Sequence, residues 1–398
     1  MTRPTVATVH LEALQHNLKQ ISALVLTSSR ADVRTEHTST APQHNSTEAQ
    51  QHGGHGAPSI IAVVKANAYG HGAAQVALTL EAAGAAMFAC ADLEEGVALR
   101  EAGVTRPILV FGALSVSDLS HVFTHALTPT VSTPSAARAL EADAAARGVT
   151  IGCHLKIDTG MNRLGFRHDN LGRTIPAVLS MPHLRIEAVY THFATADQPE
   201  SPWMEEQRQR FDRSLAALGA MGLRGVLRHA ANSAALLRDA RTWYDAVRPG
   251  LLLYGMVPPP LAAANLDLRP ALSLTSRIVA VKGLRPGEGT GYGMSWQEDR
   301  PRSIAIVPAG YADGLDTRLA GRGHVLVRGK RRQVVGSICM DMMMVDVTGE
   351  DVSPGDEVVL IGCQGDQEIT VREIAGAIGT IPWEVVCRLG SRIQRVSS

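Results

Sequence analysis

From Ser59 onward, short apolar or β-branched runs alternate with stretches whose apolar residues recur every three or four positions. The runs "SIIAVV", "AMFACA", "PILVFG", "LTPTV", "TIGCHLKID", "RIEAVYTH", "GVLRHAA" and "AVRPGLLLYG" have the length and composition of buried strands. Between them, "AAQVALTLEAAG", "DLEEGVALREAG", "SAARALEADAAARG" and "PWMEEQRQRFDRSLAALG" carry the helical period. A continuous series of eight such units predicts an α/β chain folded as a (β/α)8 TIM-like barrel, over residues 1–267. From about Leu268 the rhythm changes to strands separated by Gly, Pro and Asp turns, such as "SIAIVPAG", "HVLVRG" and "DEVVLIG". A mainly β C-terminal domain is therefore expected over 268–398. Residues 27–59 interrupt the pattern: they are rich in Ser, Thr, Gln, Gly and His, lack an apolar period, and read as a low-complexity surface insertion.

Composition narrows the class of function. Lys plus Arg and Asp plus Glu balance at 38 each, so no basic field is available to hold nucleic acid or an anionic membrane. A small-molecule role is expected. The five cysteines are scattered and form no C-x-x-C pair, which argues against a disulfide framework or a zinc site and fits a cytoplasmic protein. The N-terminus lacks a secretory apolar core, and "GLLLYGMVPPPLAAA" is cut by three prolines, so no membrane segment is expected. Four histidines of the insertion, His37, His44, His52 and His55, have no metal-site spacing, and no metal is predicted.

The chemistry concentrates where barrel strands end. "IIAVVKANAYGHG" runs a buried strand straight into Lys65. Desolvation there lowers an amine's pKa and frees it to attack a carbonyl; the bland alternative is a lysine that snorkels to solvent. "HAANSAALL" puts Asn232 and Ser233 at a strand-to-helix turn, suited either to a phosphate or to simple capping, and Gly250 allows close backbone approach. These two loops follow strands seven and eight, the usual phosphate site of a barrel. An activated lysine and a phosphate cup in one mouth imply pyridoxal 5'-phosphate.

The segment "AVVKANAYGHG" resembles the cofactor-lysine signature of the alanine racemases. The resemblance continues in order through "HLKIDTGMNRLGF", "YTHFATAD", "HAANSAALL", "VRPGLLLYG", "GYGMSW", "VPAGYADG", "SICMD" and "EVVCRLGSR". It implies a homodimer with shared active sites, and an extreme N-terminus packed on the β domain. It also implies racemisation of L- and D-alanine by two bases, supplying D-alanine for cell-wall precursors. Residue by residue, Lys65 resembles the lysine that holds the cofactor and acts on one face of the substrate. Tyr292 resembles the base on the other face, supplied by the partner subunit. His192 and Arg248 match the groups coupled to that tyrosine, and Arg248 also matches the donor to the pyridine nitrogen. Tyr69, Ser233, Gly250 and Leu251 match phosphate contacts. Arg163 and the Met340 amide match the carboxylate contacts, Tyr311 a residue of the substrate entrance, and Asp341 a partner-subunit residue. Lys156 matches a lysine often carbamylated in the family.

One position departs from the family pattern. Where a tyrosine that touches the cofactor phosphate is usual, "TIPWEVVC" supplies Trp383, a larger ring with a single N–H donor. This leaves a racemase of broader range, for serine or lysine, as the alternative within enzymes, and a non-catalytic pyridoxal-phosphate carrier as the alternative from another class.

Overall fold

The computed structural model describes residues 3–35, 57–113, 119–263 and 266–398. Contacts divide the chain into two compact units: Gln15–Ala66 with Ala74–Arg269, and Met1–Leu14 with Asn67–Ala73 and Pro270–Ser398.

The first unit is a closed parallel barrel. After β1 (Val6–Val9), which belongs to the second unit, come the eight barrel strands. They are β2 (Ser59–Val63), β3 (Met87–Cys90), β4 (Ile108–Val110), β5 (Thr128–Val131), β6 (Ile151–Asp158), β7 (Leu184–Tyr190), β8 (Leu227–Asn232) and β9 (Ala246–Arg248). Each pairs in parallel with its neighbour, and β9 closes the ring on β2 through Val247 opposite Ile60. β4 and β5 are buried at every position, as expected where side chains face either a packed interior or a helix layer. Four helices position the site or its surroundings: α1 (Leu11–Thr35), α2 (Leu93–Glu101), α3 (Trp203–Ala220) and α4 (Ser233–Arg238).

The second unit is a mixed sheet. The strands along its main path are β1 and then β10 (Leu272–Arg277), β11 (Ala280–Leu284), β12 (Arg302–Val307), β13 (His324–Val327), β14 (Lys330–Val335), β15 (Met343–Asp346), β16 (Glu357–Gln364) and β17 (Gln394–Ser397), with a short strand at Gln367–Ile369 pairing β16 off that path. The order across the sheet is β11-β12-β15-β14-β13-β16-β10-β1-β17. β1 lies between β10, antiparallel, and β17, parallel, so the N-terminal strand is an internal member of this sheet. Ala7, Leu274, Val307, Val325, Val345 and Leu360 help build the core.

Three local features differ from the sequence reading. Of "AVRPGLLLYG" only Ala246–Arg248 is strand, because Pro249 has no N–H for a ladder and Leu251–Tyr254 coils into a 3-10 turn. The β unit also holds two helices, α5 (Val371–Ile378), capped by Thr370, and α6 (Pro382–Cys387), which opens on proline. Of the stretch 27–59, residues through Thr35 continue α1 and Ser59 opens β2. The core of that predicted insertion, including His37, His44, His52 and His55, lies outside the described residues.

Candidate active site

In the barrel unit, the predicted polar residues fall at the C-terminal ends of the strands. Lys65 follows β2, Lys156 lies near the end of β6, and Arg163 sits in the loop beyond it. His192 follows β7, Ser233 follows β8, Arg248 ends β9, and Gly250 and Leu251 come directly after it.

Arg248 is the centre of this set. Its side chain is buried, and its guanidinium donates to the Thr191 and Ala230 carbonyls at 2.7 and 2.9 Å. It also donates to His229 Nδ1 at 2.8 Å and to His192 Nδ1 at 3.3 Å. Arginine has no acceptor, so both ring nitrogens it meets must be unprotonated. The proton of His229 then sits on Nε2, which faces His154 Nδ1 at 3.1 Å, and a directed chain runs from Arg248 through His229 to His154. Burial, reinforced by the Arg248 charge, keeps all three imidazoles neutral: His154 is pushed down to about 4, and His192 and His229 lie well below the ordinary histidine value. Burial also draws Arg248 itself down to about 10. One hydrogen of its Nη1 remains for a further acceptor.

Positive charge accumulates around His192, on which Arg248, Arg163, Lys156 and Lys65 all act. Lys156 is almost fully buried, and its amine is lowered to about 8, first by burial and then by Arg163 and Arg248. Asp158 opposes this shift, but its carboxylate also accepts the Gly160 and Asn162 amides, both at 3.0 Å, and so folds the "DTGMN" loop. Tyr190 is buried between Lys156 and Arg248, 5.5 and 5.2 Å from its ring centre, and stacks on His229. Gln207 of α3 fixes the His192 segment by donating to the His192 carbonyl at 3.1 Å and accepting the Ala194 amide at 2.8 Å. A mouth so rich in cations suits an anionic ligand.

The loops after β8 and β9 are joined through Ser233, whose Oγ accepts the Gly250 amide at 3.0 Å and the Leu252 amide at 3.4 Å. Asn232 caps α4 by accepting the Ala235 amide at 2.9 Å, so the capping alternative holds for Asn232 and leaves Ser233 at the loop junction.

Lys65 opens an unusual turn. Ala66, Asn67, Ala68 and Tyr69 have φ values of 53°, 52°, 54° and 52°, one turn of left-handed helix made without glycine. Side chains other than glycine pay roughly 1–2 kcal/mol each for that conformation, so the fold must hold it in place. Sequence reading missed it, because "KANAY" has the composition of an ordinary helix start.

In the β unit, three loops carry the remaining predicted residues. Ser337 Oγ donates to the Tyr292 carbonyl at 2.7 Å, and the Tyr311 and Ala312 amides donate to the Cys339 and Met340 carbonyls, both at 3.0 Å. Gly310 could not be replaced here, because a Cβ would sit 2.3 Å from both the Cys339 and Met340 carbonyl oxygens. The stitched loops leave Tyr292 78% exposed, together with Tyr311, Met294, Met340 and Met342. Asp341 is exposed and paired with Arg392 at 2.6 Å. Tyr69 belongs to this unit, where burial and the Cys387 charge raise its phenol. Trp383 is half-buried in α6.

His154, His229 and Gln207 were not assigned roles by sequence reading. The available signal for His154 was its spacing of two from Lys156, which puts both on one face of β6.

Residues 39–258 match the alanine racemase N-terminal domain, and residues 271–397 match the alanine racemase C-terminal domain. An alanine racemase of Carboxydothermus hydrogenoformans is 39% identical over 396 residues, 99% of this chain and 99% of that one. Another, of Symbiobacterium thermophilum, is 43% identical over 340 residues, 85% of this chain and 90% of its own. Among solved structures, the alanine racemase of Clostridium difficile 630 superposes with a TM-score of 0.87 at 32% identity, covering 100% of this chain and 96% of that one. That of a D-cycloserine-producing Streptomyces lavendulae gives 0.88 at 32% identity, covering 100% and 98%. With both domain signatures in order and relatives matched over nearly their full length, the chain belongs to the alanine racemase family.

Proposed function

We propose that the chain racemises alanine with pyridoxal 5'-phosphate, as a cytoplasmic homodimer that supplies D-alanine for cell-wall precursors. The observation that carries the reading is Arg248, a buried donor whose orientation is fixed by two carbonyls and two neutral imidazoles and which keeps one hydrogen free. Such a group suits an unprotonated ring nitrogen and would repel a protonated one. Ser233 at the Gly250 and Leu252 amides, the cationic mouth and Lys65 complete a donor set that fits the cofactor.

When bound, pyridoxal phosphate supplies the electron sink that makes the substrate Cα–H acidic. Lys65 anchors the group and then moves the α-proton on one face. Tyr292 of the partner subunit serves the other face, as inversion requires proton removal on one side and delivery on the opposite one. His192 accepts from Arg248 at Nδ1, so its Nε2 hydrogen is free to stabilise a phenolate. Ser233, Gly250 and Leu251 would receive the phosphate. Arg163 would hold the substrate carboxylate, for which a guanidinium fork is suited. Tyr311 and Asp341 shape the approach. The exposed Tyr292, Tyr311 and methionine surface supports the homodimer, since a monomer rarely leaves such a patch in water. Among the described residues no helix is long and apolar enough to cross a membrane.

The test is proton NMR of L-alanine in deuterated water with added pyridoxal phosphate, alongside a chiral assay for D-alanine. Loss of the α-proton signal with D-alanine formation is expected, abolished in Lys65→Ala and strongly reduced in Tyr292→Phe. Full racemisation by Tyr292→Phe would refute the second base, and no exchange with bound cofactor would favour a carrier. Trp383 favours one second reading, a broader substrate range. Packing alone separates small side chains by only about 1–3 kcal/mol per methylene, and lysine turned over as fast as alanine would overturn the alanine assignment.

A further inference from the structure

The left-handed turn after Lys65 needs something to hold its first amide, and the Ala66 N–H donates to a carboxylate from the next barrel unit. Glu95 Oε1 accepts the Ala66 amide at 2.6 Å while Oε2 accepts the Ala91 amide at 2.7 Å. One side chain thereby ties the end of β2 to the end of β3.

The arrangement departs from what local sequence dictates. Asp92 is the N-cap of α2, accepting the Glu95 amide at 2.9 Å, so Glu95 occupies the third helical position. A glutamate there ordinarily turns back to the amide of the N-cap residue and closes a capping box. Here Asp92 makes its half of the box, but Glu95 reaches past Asp92 to Ala91 and across to Ala66. Helix stability alone does not ask for that second bond. Ala66 is the first of the four residues with positive φ, and as the start of a turn its N–H has no partner within the turn. Both contacts are short and made to a carboxylate, the stronger class of hydrogen bond.

We propose that Glu95 is a positioning residue for Lys65: it fixes the left-handed turn that sets the direction of the lysine. The inference rests on the reading of Lys65 as the cofactor-holding residue. Glu95 touches neither substrate nor cofactor and acts only through the Ala66 peptide.

The test uses the full-length protein and two readouts. Hydrogen exchange of the cofactor-free protein is followed by mass spectrometry over residues 65–70, and pyridoxal phosphate is titrated by the visible absorbance of its adduct with lysine. In Glu95→Ala, exchange at 65–70 rises tenfold or more while the rest of the barrel is unchanged, and cofactor affinity falls tenfold or more. Glu95→Gln keeps one acceptor oxygen and gives an intermediate loss, which guards against a variant that merely folds poorly. Unchanged exchange, exchange that rises equally across the barrel, or faster local exchange with unchanged affinity would each overturn the proposal. Lys65→Ala separates the two ideas: if it keeps the adduct absorbance, the reading of Lys65 fails whatever Glu95 does to the turn.

Discussion

A buried amine surrounded by cations is an unstable arrangement, and Lys156 is such an amine. Burial and the charges of Arg163 and Arg248 bring it from the ordinary 10.5 to about 8. At pH 7 about one Lys156 in ten is then a free amine, against about three in ten thousand for an unperturbed lysine. That roughly 300-fold gain favours reaction with carbon dioxide, in which the amine nitrogen bonds to the carbon and releases a proton, leaving a carbamate. The side chain changes from a cation repelled by its neighbours to an anion attracted by Arg163, Arg248 and Lys65. We therefore expect Lys156 to be carbamylated and, in that form, to orient Arg163 for the substrate carboxylate.

The energetic sign can be worked out. For unmodified Lys156 the folded state binds fewer protons than the unfolded one between pH 8 and 10.5, so stability rises with pH across that window. Below pH 8 the charged amine costs the fold about 3 kcal/mol. In buffer free of carbon dioxide, Lys156→Met should accordingly be more stable than the parent by about 1–3 kcal/mol, read by urea unfolding at pH 7. Bicarbonate should stabilise the parent and leave the variant unchanged. Carbon-13 NMR after incubation with labelled bicarbonate at pH 8 should show a carbamate resonance that Lys156→Met lacks, and the variant should raise KM for alanine more than it lowers kcat. No carbamate resonance in saturating bicarbonate, together with an unchanged KM in Lys156→Met, would refute the reasoning.

Acid should unfold the barrel unit through its buried imidazoles. His154, held neutral by burial and pushed down to about 4, contributes stability that is present above pH 6.5 and lost as pH falls through 4, about 3 kcal/mol in all; a flat urea midpoint between pH 7 and 4.5 would contradict this. In the β unit, Arg3→Ala should cost about 1–3 kcal/mol, because it leaves the fully buried Asp313 with Arg392 Nε at 3.6 Å in place of its 2.6 Å partner. Lost stability in Arg3→Ala that is not restored in part by Arg3→Lys would show that the charge is not the cause.

The barrel was legible because its strands are short apolar runs, two of them buried at every position, and runs such as "PILVFG" and "LTPTV" have few other ways to fold. The polar residues that interrupt those runs at their ends could be placed for the same reason: an apolar strand that stops at Lys65 or Arg248 must deliver that group to the barrel rim. What could not be read are the features set by groups distant in the chain. Pro249 ends a strand that its apolar neighbours would continue. The tautomers of His192 and His229 are fixed by one arginine that each meets only in the closed barrel. The turn from Ala66 to Tyr69 is stranger still, since in "KANAY" only Asn67 adopts positive φ readily, and its first amide is held by a glutamate 29 positions further on. Local propensity and tertiary demand disagree at that turn, and they agree along the strands beside it. Strain of this kind survives only where surrounding structure enforces it, and it gathers where geometry has to be set for chemistry. The disagreement at residues 66–69 is thus itself a pointer to Lys65, independent of any resemblance.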